Sequence, residues 1–97
     1  MKDVPTIGPA LRAARKLRGM SQDDFSVVSS RTYMSSLERG TKSPTLNKLF
    51  DLAVRLDLHP ASLVVLAAGG KRPLTALLRD IERIQHEVSE LKAHLIG

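Results

Sequence analysis

Hydrogen-bonding side chains are concentrated in one short stretch of the sequence, SSRTYMSSLERG, which runs from Ser29 to Gly40. The stretch combines hydroxyl groups with arginine donors, and its two strongly apolar residues, Met34 and Leu37, lie three positions apart. This spacing predicts a helix that buries a narrow apolar stripe and exposes its polar groups. The chemistry available to such a face is recognition by hydrogen bonds.

The rest of the sequence offers little for catalysis or metal binding. It contains no Cys, which excludes a disulfide framework, a thiolate metal site and a cysteine nucleophile. His59, His86 and His94 are too scattered to indicate a catalytic pair or a metal site, and GGK alone is too short to indicate a phosphate-binding loop. We therefore expect no enzyme activity and no cofactor or metal.

The excess of positive charge lies in the first half of the chain. Residues 1–48 hold nine Lys and Arg against four Asp and Glu, whereas residues 49–97 hold six of each. A basic face on a small domain is typical of proteins that bind a polyanion.

Length and composition indicate a single helical domain with an appended element. The chain has 97 residues, and aromatic residues make up only 3%, which favours helices over a β-sandwich. The longest apolar run, Leu63 to Ala68, is too short to span a bilayer, and MKDVPTIGPA lacks the apolar stretch of a secretory signal. We expect a cytoplasmic protein that does not associate with membranes.

Apolar periodicity predicts five helices before the double glycine at positions 69 and 70. They cover residues 7–18, 22–28, 31–39, 44–56 and 60–68. Ser21 is expected to cap the second helix, and Ser29 or Ser30 the third. Ser43 is expected to cap the fourth, with Pro44 as its first residue.

Three stretches of the chain carry a resemblance to a known family: LRAARKLRGMSQDDF, RTYMSSLERGTKSPT and LFDLAVRLDLHPASLV. Together they make residues 7–66 similar to the Cro/lambda-repressor-like (XRE-type) helix-turn-helix DNA-binding domain. The resemblance implies an all-α fold, with a five-helix helix-turn-helix domain that we place at residues 1–70. The resemblance also implies double-stranded DNA as the partner. Residues 71–97 lie outside the resemblance, and their own apolar period predicts a long oligomerisation helix there.

In this family the third helix enters the major groove with its N-terminal residues facing base edges. Arg31, Thr32 and Ser36 match the family's base-contacting positions, and the pattern predicts that these three and Ser35 face outward. Arg31 could donate two hydrogen bonds to guanine, and Thr32 offers a hydroxyl and a methyl group that suits thymine. The alternative for Arg31 is a solvated side chain without a base contact.

Four further residues are expected near the DNA backbone. Gln22 matches a family glutamine that braces a phosphate or the recognition helix; the alternative is an ordinary exposed glutamine. Tyr33 could donate its hydroxyl to a phosphate or pack its ring over the turn. Arg39 and Lys42 flank the loop after the third helix and are expected to contact phosphates.

Two other matched positions have a structural role in the resemblance. Arg15 and Glu38 match a partly buried salt bridge between the first and third helices. The link FSVVSSRTY departs from the family pattern, because it is shorter by about two residues and contains no glycine. Either the second helix ends early or the turn is tighter. Asp57 replaces a common glycine and tolerates the left-handed conformation.

The last helix, predicted from Pro73 to about Ile96, carries a heptad seam. Its a and d positions are Leu74, Leu77, Ile81, Ile84, Val88, Leu91 and Leu95. Glu87 at g and Lys92 at the following e could pair across a parallel homodimer. The alternatives are a helix folded back on its own domain and, because Leu78 widens the seam, a tetramer or bundle.

Together these features predict a dimeric, sequence-specific DNA-binding transcriptional regulator that acts on palindromic operators, with repression favoured. The main alternative is an antitoxin-type DNA-binding protein whose last helix also contacts a protein partner, a toxin that it neutralises. A purely structural helical assembler is a third option.

Overall fold

The computed structural model describes residues 6–95, and within this range all the regular secondary structure is helical. Its elements are α1 (Gly8–Leu17), a 3₁₀ helix (Gln22–Phe25), α2 (Arg31–Glu38), α3 (Leu46–Leu56), α4 (Pro60–Gly69) and α5 (Leu74–Leu95). The predicted all-α fold with a long C-terminal helix is confirmed. The predicted end of that helix at about Ile96 lies outside the described residues.

One hydrophobic core lies among the elements that precede α5. α1 packs against α2 and α4, α3 packs against α4, and the 3₁₀ helix packs against α2. The largest fully buried side chains come from all of these elements; they are Leu11, Phe25, Met34, Leu37, Leu52, Leu56 and Leu63. Because Met34 and Leu37 are both buried, the orientation of α2 about its own axis is fixed.

Side-chain caps set where the middle helices begin. Ser30 accepts a hydrogen bond from the Tyr33 backbone N–H at 3.1 Å, so that α2 begins at Arg31 as predicted. His59 Nδ1 accepts one from the Ala61 N–H at 3.0 Å at the start of α4.

The predicted start of the fourth helix is wrong. Thr45, and not Ser43, caps α3, because its hydroxyl accepts the Lys48 backbone N–H at 3.1 Å. Pro44 precedes the helix and, with Ile7, lines a surface depression. It therefore does not occupy the first turn of α3.

The second predicted helix is shorter than expected. It is a single 3₁₀ turn that ends at Phe25, and the Val28 and Ser29 N–H groups both donate to the Phe25 carbonyl at 2.9 and 2.8 Å. These bonds form a tight turn, after which Ser30 caps α2. The shortened link is thus accommodated by an early helix end, and no residue from 22 to 39 has a positive φ.

The junction of α3 and α4 depends on one left-handed residue. Asp57 has φ 55° and ψ 48°, the conformation that its short polar side chain was predicted to tolerate. Arg18, the C-cap residue that follows α1, donates to the Leu56 and Asp57 carbonyls at 2.8 and 3.0 Å. One arginine of the basic half therefore provides hydrogen-bond donors for two carbonyl groups at the C-terminal end of α3.

No single helix between residues 6 and 95 is both long and apolar enough to cross a membrane. α3 and α4 reach that length and composition only as a pair, and the pair is bent by 106°.

Only the first part of α5 touches the rest of the molecule. It packs against α4, where the Leu77 side chain lies so close to Gly69 that a β-carbon there would meet Leu77 Cδ2 at 1.9 Å. No residue of α5 from Leu74 to Leu95 is buried. Its apolar side chains remain accessible: Leu74 and Leu91 are each 67% exposed, and Leu95 is 79% exposed.

Candidate nucleic-acid interface

The exposed face of α2 is a polar strip. Helical spacing brings Arg31, Ser35 and Arg39 into one row, and Thr32 lies beside them. Arg31, Thr32 and Arg39 are exposed, and Ser35 is half-buried with its hydroxyl accepting a hydrogen bond from Arg39 Nη1. This row presents guanidinium donors and hydroxyl groups from a rigid helix.

Ser36 does not belong to this strip, and the prediction that it faces outward is wrong. Its residue surface is only 8% exposed, and its hydroxyl donates to the Thr32 carbonyl at 3.1 Å. Helical spacing alone would place Ser36 on the same face as the exposed Thr32, four residues earlier. The chain after α2 turns back onto this residue, where Thr41 donates to the Ser36 carbonyl through its N–H at 3.0 Å and its hydroxyl at 3.1 Å. Ser35, which was also predicted to face outward, shares the exposed face with Arg31, and the four-residue spacing was the signal that could have identified it as a candidate base contact.

The C-terminal end of α2 is tied to α1 through a carboxylate. Arg15 donates to Glu38 through Nε at 2.7 Å and through Nη2 at 3.0 Å, and its Nη1 donates to the Met20 carbonyl at 2.8 Å. The two side chains are only 13% and 5% exposed. The structure therefore brings this predicted pair together and leaves neither side chain free for DNA.

Gln22 joins the same carboxylate, with Nε2 donating to Glu38 Oε1 at 3.2 Å. Of the roles considered for Gln22, bracing the recognition helix is the one present in this structure. Burial would raise the pKa of the Glu38 carboxyl. The hydrogen bonds from Arg15 and Gln22 and the charges of Arg15 and Arg12 outweigh burial, and the pKa is lowered.

Tyr33 packs its ring at the edge of the core and is half-buried. The Lys48 ammonium lies 6.0 Å from the ring centroid, at the outer limit of a cation–π contact. Of the two alternatives for Tyr33, ring packing is present; the phosphate contact stays a prediction.

Two cations of α3 hold the shortened turn in place, and the sequence analysis did not single them out. The Lys48 ammonium donates to the Val28 carbonyl, and Arg55 Nε donates to the Asp24 carbonyl at 2.9 Å. Within the turn, the Ser21 N–H donates to Asp24 Oδ2 at 2.7 Å. Bonds from the Ser21 N–H and hydroxyl lower the pKa of the Asp24 carboxyl.

The remaining cations near α2 are solvent-accessible. Lys42 is exposed in the loop after Gly40, whose φ of 76° ends the helix. Arg31 Nη1 lies 3.5 Å from Asp23 Oδ2, and both side chains are mostly exposed. Among residues 6–95, no group of three His, Asp or Glu side chains could hold a metal ion.

A short helix with a buried apolar stripe, a polar outer row and a preceding tight turn defines a helix-turn-helix protein. The helix-turn-helix family model HTH_3 matches residues 11–63, which is more than half of the chain. The chain belongs to this XRE-type family of DNA-binding transcriptional regulators.

Two relatives are uncharacterized HTH-type transcriptional regulators of Sinorhizobium fredii. The chain is 48% identical to y4dL over 51 residues, which are 50% of this chain and 26% of y4dL. It is 35% identical to y4dJ over 60 residues, which are 60% of this chain and 78% of y4dJ. The match therefore spans about a quarter of one relative and most of the other.

Two solved structures share the fold. The restriction-modification controller protein C.AhdI of Aeromonas hydrophila is 32% identical, with a TM-score of 0.56 and coverage of 59% of this chain and 89% of that one. The clp gene regulator ClgR of C. glutamicum is 31% identical, with a TM-score of 0.61 and coverage of 65% and 84%. Both are regulators, a non-enzymatic class.

Proposed function

We propose that this protein is a cytoplasmic, sequence-specific regulator of transcription that binds palindromic operators as a homodimer through α2. The observation that carries the proposal is the polar strip of α2, held outward by the burial of Met34 and Leu37 on its opposite face. A helix oriented in this way can enter the major groove and offer its N-terminal side chains to base edges.

Arg31 and Thr32 are the proposed base readers, because they are exposed at the first turn of α2. Arg31 would donate to guanine O6 and N7, and Thr32 would meet a thymine methyl group. We add Ser35, which lies one turn from Arg31 on the same strip. Ser36 matched the family position but has only 8% of its surface available for a base.

Arg39 and Lys42 are the proposed phosphate contacts, because they are exposed cations at the end of α2 and in the following loop. Contacts of this kind position the protein and make its affinity depend on salt, but they do not specify sequence. Gln22 and Tyr33 would contribute indirectly, by holding α2 in place through Glu38 and the core. A direct phosphate contact by either would require its side chain to move on binding.

The dimer is proposed to form through α5. A helix of 22 residues with a continuous apolar seam and no buried residue exposes a surface that a second copy would cover. Residues 1–70 would form the DNA-binding domain and residues 71–97 the self-association element, with Gly70 at the boundary. A two-fold axis then gives two copies of α2 and two half-sites.

The seam has two parts that would differ in the dimer. Leu74, Leu77, Ile81 and Ile84 line a groove of about 490 Å³ with α4 residues, whereas Val88, Leu91 and Leu95 do not line it. The first part would pack against the partner and α4 together, and the second against the partner alone. Glu87 and Lys92 would pair between the copies of a parallel dimer.

We propose repression as the mode of action, because a dimer that occupies a promoter excludes polymerase without any further surface, although activation is equally compatible with these residues. The test is to select duplexes from a random pool and to compare selected and scrambled sequences at physiological ionic strength. We expect the selected duplex to bind at least about a thousandfold more tightly. Equal affinity would end the proposal.

A further inference from the structure

The side chains of Asp23 and Arg31 form an ion pair between the 3₁₀ helix and the first turn of α2. Asp23 Oδ2 lies 3.5 Å from Arg31 Nη1, with the two side chains 67% and 72% exposed. Asp23 lies in the 3₁₀ helix and Arg31 is the first residue of α2. The carboxylate therefore sits beside the proposed base-reading guanidinium.

The backbone fixes both ends of this pair. Asp24, the neighbour of Asp23, accepts the Ser21 N–H through its carboxylate and an Arg55 N–H through its carbonyl. Ser30 caps α2 immediately before Arg31. The separation of the Asp23 and Arg31 backbones is thus set by anchored segments, and the remaining freedom of the pair lies in its two exposed side chains.

An acidic side chain at this place weakens attraction to a polyanion, and an exposed ion pair contributes little to folding stability. The carboxylate also affects the orientation of Arg31, because it favours guanidinium orientations that keep one edge toward Asp23. A guanidinium has five N–H donors, so two can face guanine while another faces Asp23.

We propose that Asp23 is a positioning residue for base readout by Arg31. With the preferred base pair in place, Asp23 holds the guanidinium toward the base edge. On other sequences it keeps Arg31 from turning to a phosphate and repels the phosphate directly. Asp23 would thereby raise sequence discrimination mainly by lowering affinity for the wrong DNA, a specificity role that leaves α2 itself unchanged.

This inference rests on the proposed function, because it requires Arg31 to read a base. The experiment compares wild type with Asp23→Asn on selected and scrambled duplexes, using the full chain. We expect Asp23→Asn to bind scrambled DNA more tightly and to lower the selected-to-scrambled affinity ratio by roughly two- to fivefold, the range that an exposed ion pair can transmit. Glu82→Gln is the matched control, since it removes one exposed carboxylate of α5, and it should leave the ratio unchanged.

The second arm repeats Asp23→Asn in an Arg31→Ala background. There the preference at the base pair read by Arg31 should not change further, because the side chain that Asp23 orients is gone. The inference is overturned if Asp23→Asn strengthens binding to both duplexes equally, or if its effect on that preference persists without Arg31. The failure of wild type to discriminate at all would instead count against the proposed function.

Discussion

Gly8 and Glu38 approach so closely that a β-carbon built on Gly8 would lie 2.5 Å from the Glu38 carbonyl oxygen. The Leu37 carbonyl oxygen would lie at 2.7 Å. Both are backbone atoms and cannot rotate away. The first residue of α1 therefore packs directly against the C-terminal end of the recognition helix.

Gly8→Ala should destabilise the protein by about 1–3 kcal/mol, because α1 and α2 must move apart to admit the methyl group. Helix propensity alone predicts the opposite sign, a gain of about 0.5–1 kcal/mol. Urea unfolding followed by circular dichroism decides between them. A stabilised variant would show that the two helices separate at little cost.

Arg15→Met should lower the free energy of unfolding by about 3 kcal/mol, because it leaves the nearly buried Glu38 carboxylate with Gln22 as its remaining side-chain donor. Lys16→Met is the control, since Lys16 is exposed on the same helix. Adding Glu38→Leu to Arg15→Met should recover part of the loss. Equal stabilities for Arg15→Met and Lys16→Met would contradict a structural role for the pair.

Acid should weaken the fold through Glu38. The pKa of this carboxyl is lowered from its ordinary value of 4.5, so the unfolded chain binds its proton first as the pH falls. The stabilisation is then complete above about pH 4.5 and is lost as the pH falls through the lower pKa of the folded state. Urea midpoints between pH 7 and pH 3 should fall more steeply for wild type than for Glu38→Gln. Parallel curves would show that Glu38 does not carry this acid sensitivity.

Arg31→Ala and Lys42→Gln should weaken DNA binding in different ways. Loss of Arg31 should flatten base preference at one position in each half-site, a discrimination of about 1–3 kcal/mol. Loss of Lys42 should weaken binding to all sequences and reduce the salt slope by about one unit. Selection from random duplexes and salt titrations measure the two effects. An unchanged preference logo would remove Arg31 from the base readers.

Leu91→Asp should dissociate the proposed dimer, because it places a charge in the part of the seam that lies outside the groove between α4 and α5. Ala93→Asp is the matched control, because Ala93 lies outside the seam at heptad position f. Light scattering should report a monomer for the first variant and a dimer for the second. Removal of residues 73–97 should likewise leave a folded monomer with weakened DNA affinity. A dimer that survived both changes would place self-association elsewhere.

The local sequence was sufficient wherever one segment carries all the determinants of its own structure. The serine before Arg31 predicted the start of α2, since a cap needs only its own hydroxyl and a backbone N–H three residues on. The heptad period predicted α5 with similar bounds, because the period is a property of that segment alone. The family resemblance covered residues 7–66, and the family match over residues 11–63 confirmed it.

Only the tertiary structure decided the features that depend on distant neighbours. Tertiary packing separated Ser35, on the outer strip, from Ser36, which is buried although helical spacing places it on the face of Thr32. Lys48 and Arg55 of α3 hold the shortened turn from 20 and 31 residues along the chain, and no local pattern marks them. Pro44 lies before α3, and Thr45 caps that helix. Each outcome is set by which backbone carbonyl or apolar surface lies within reach after folding, and the order of residues does not specify that distance.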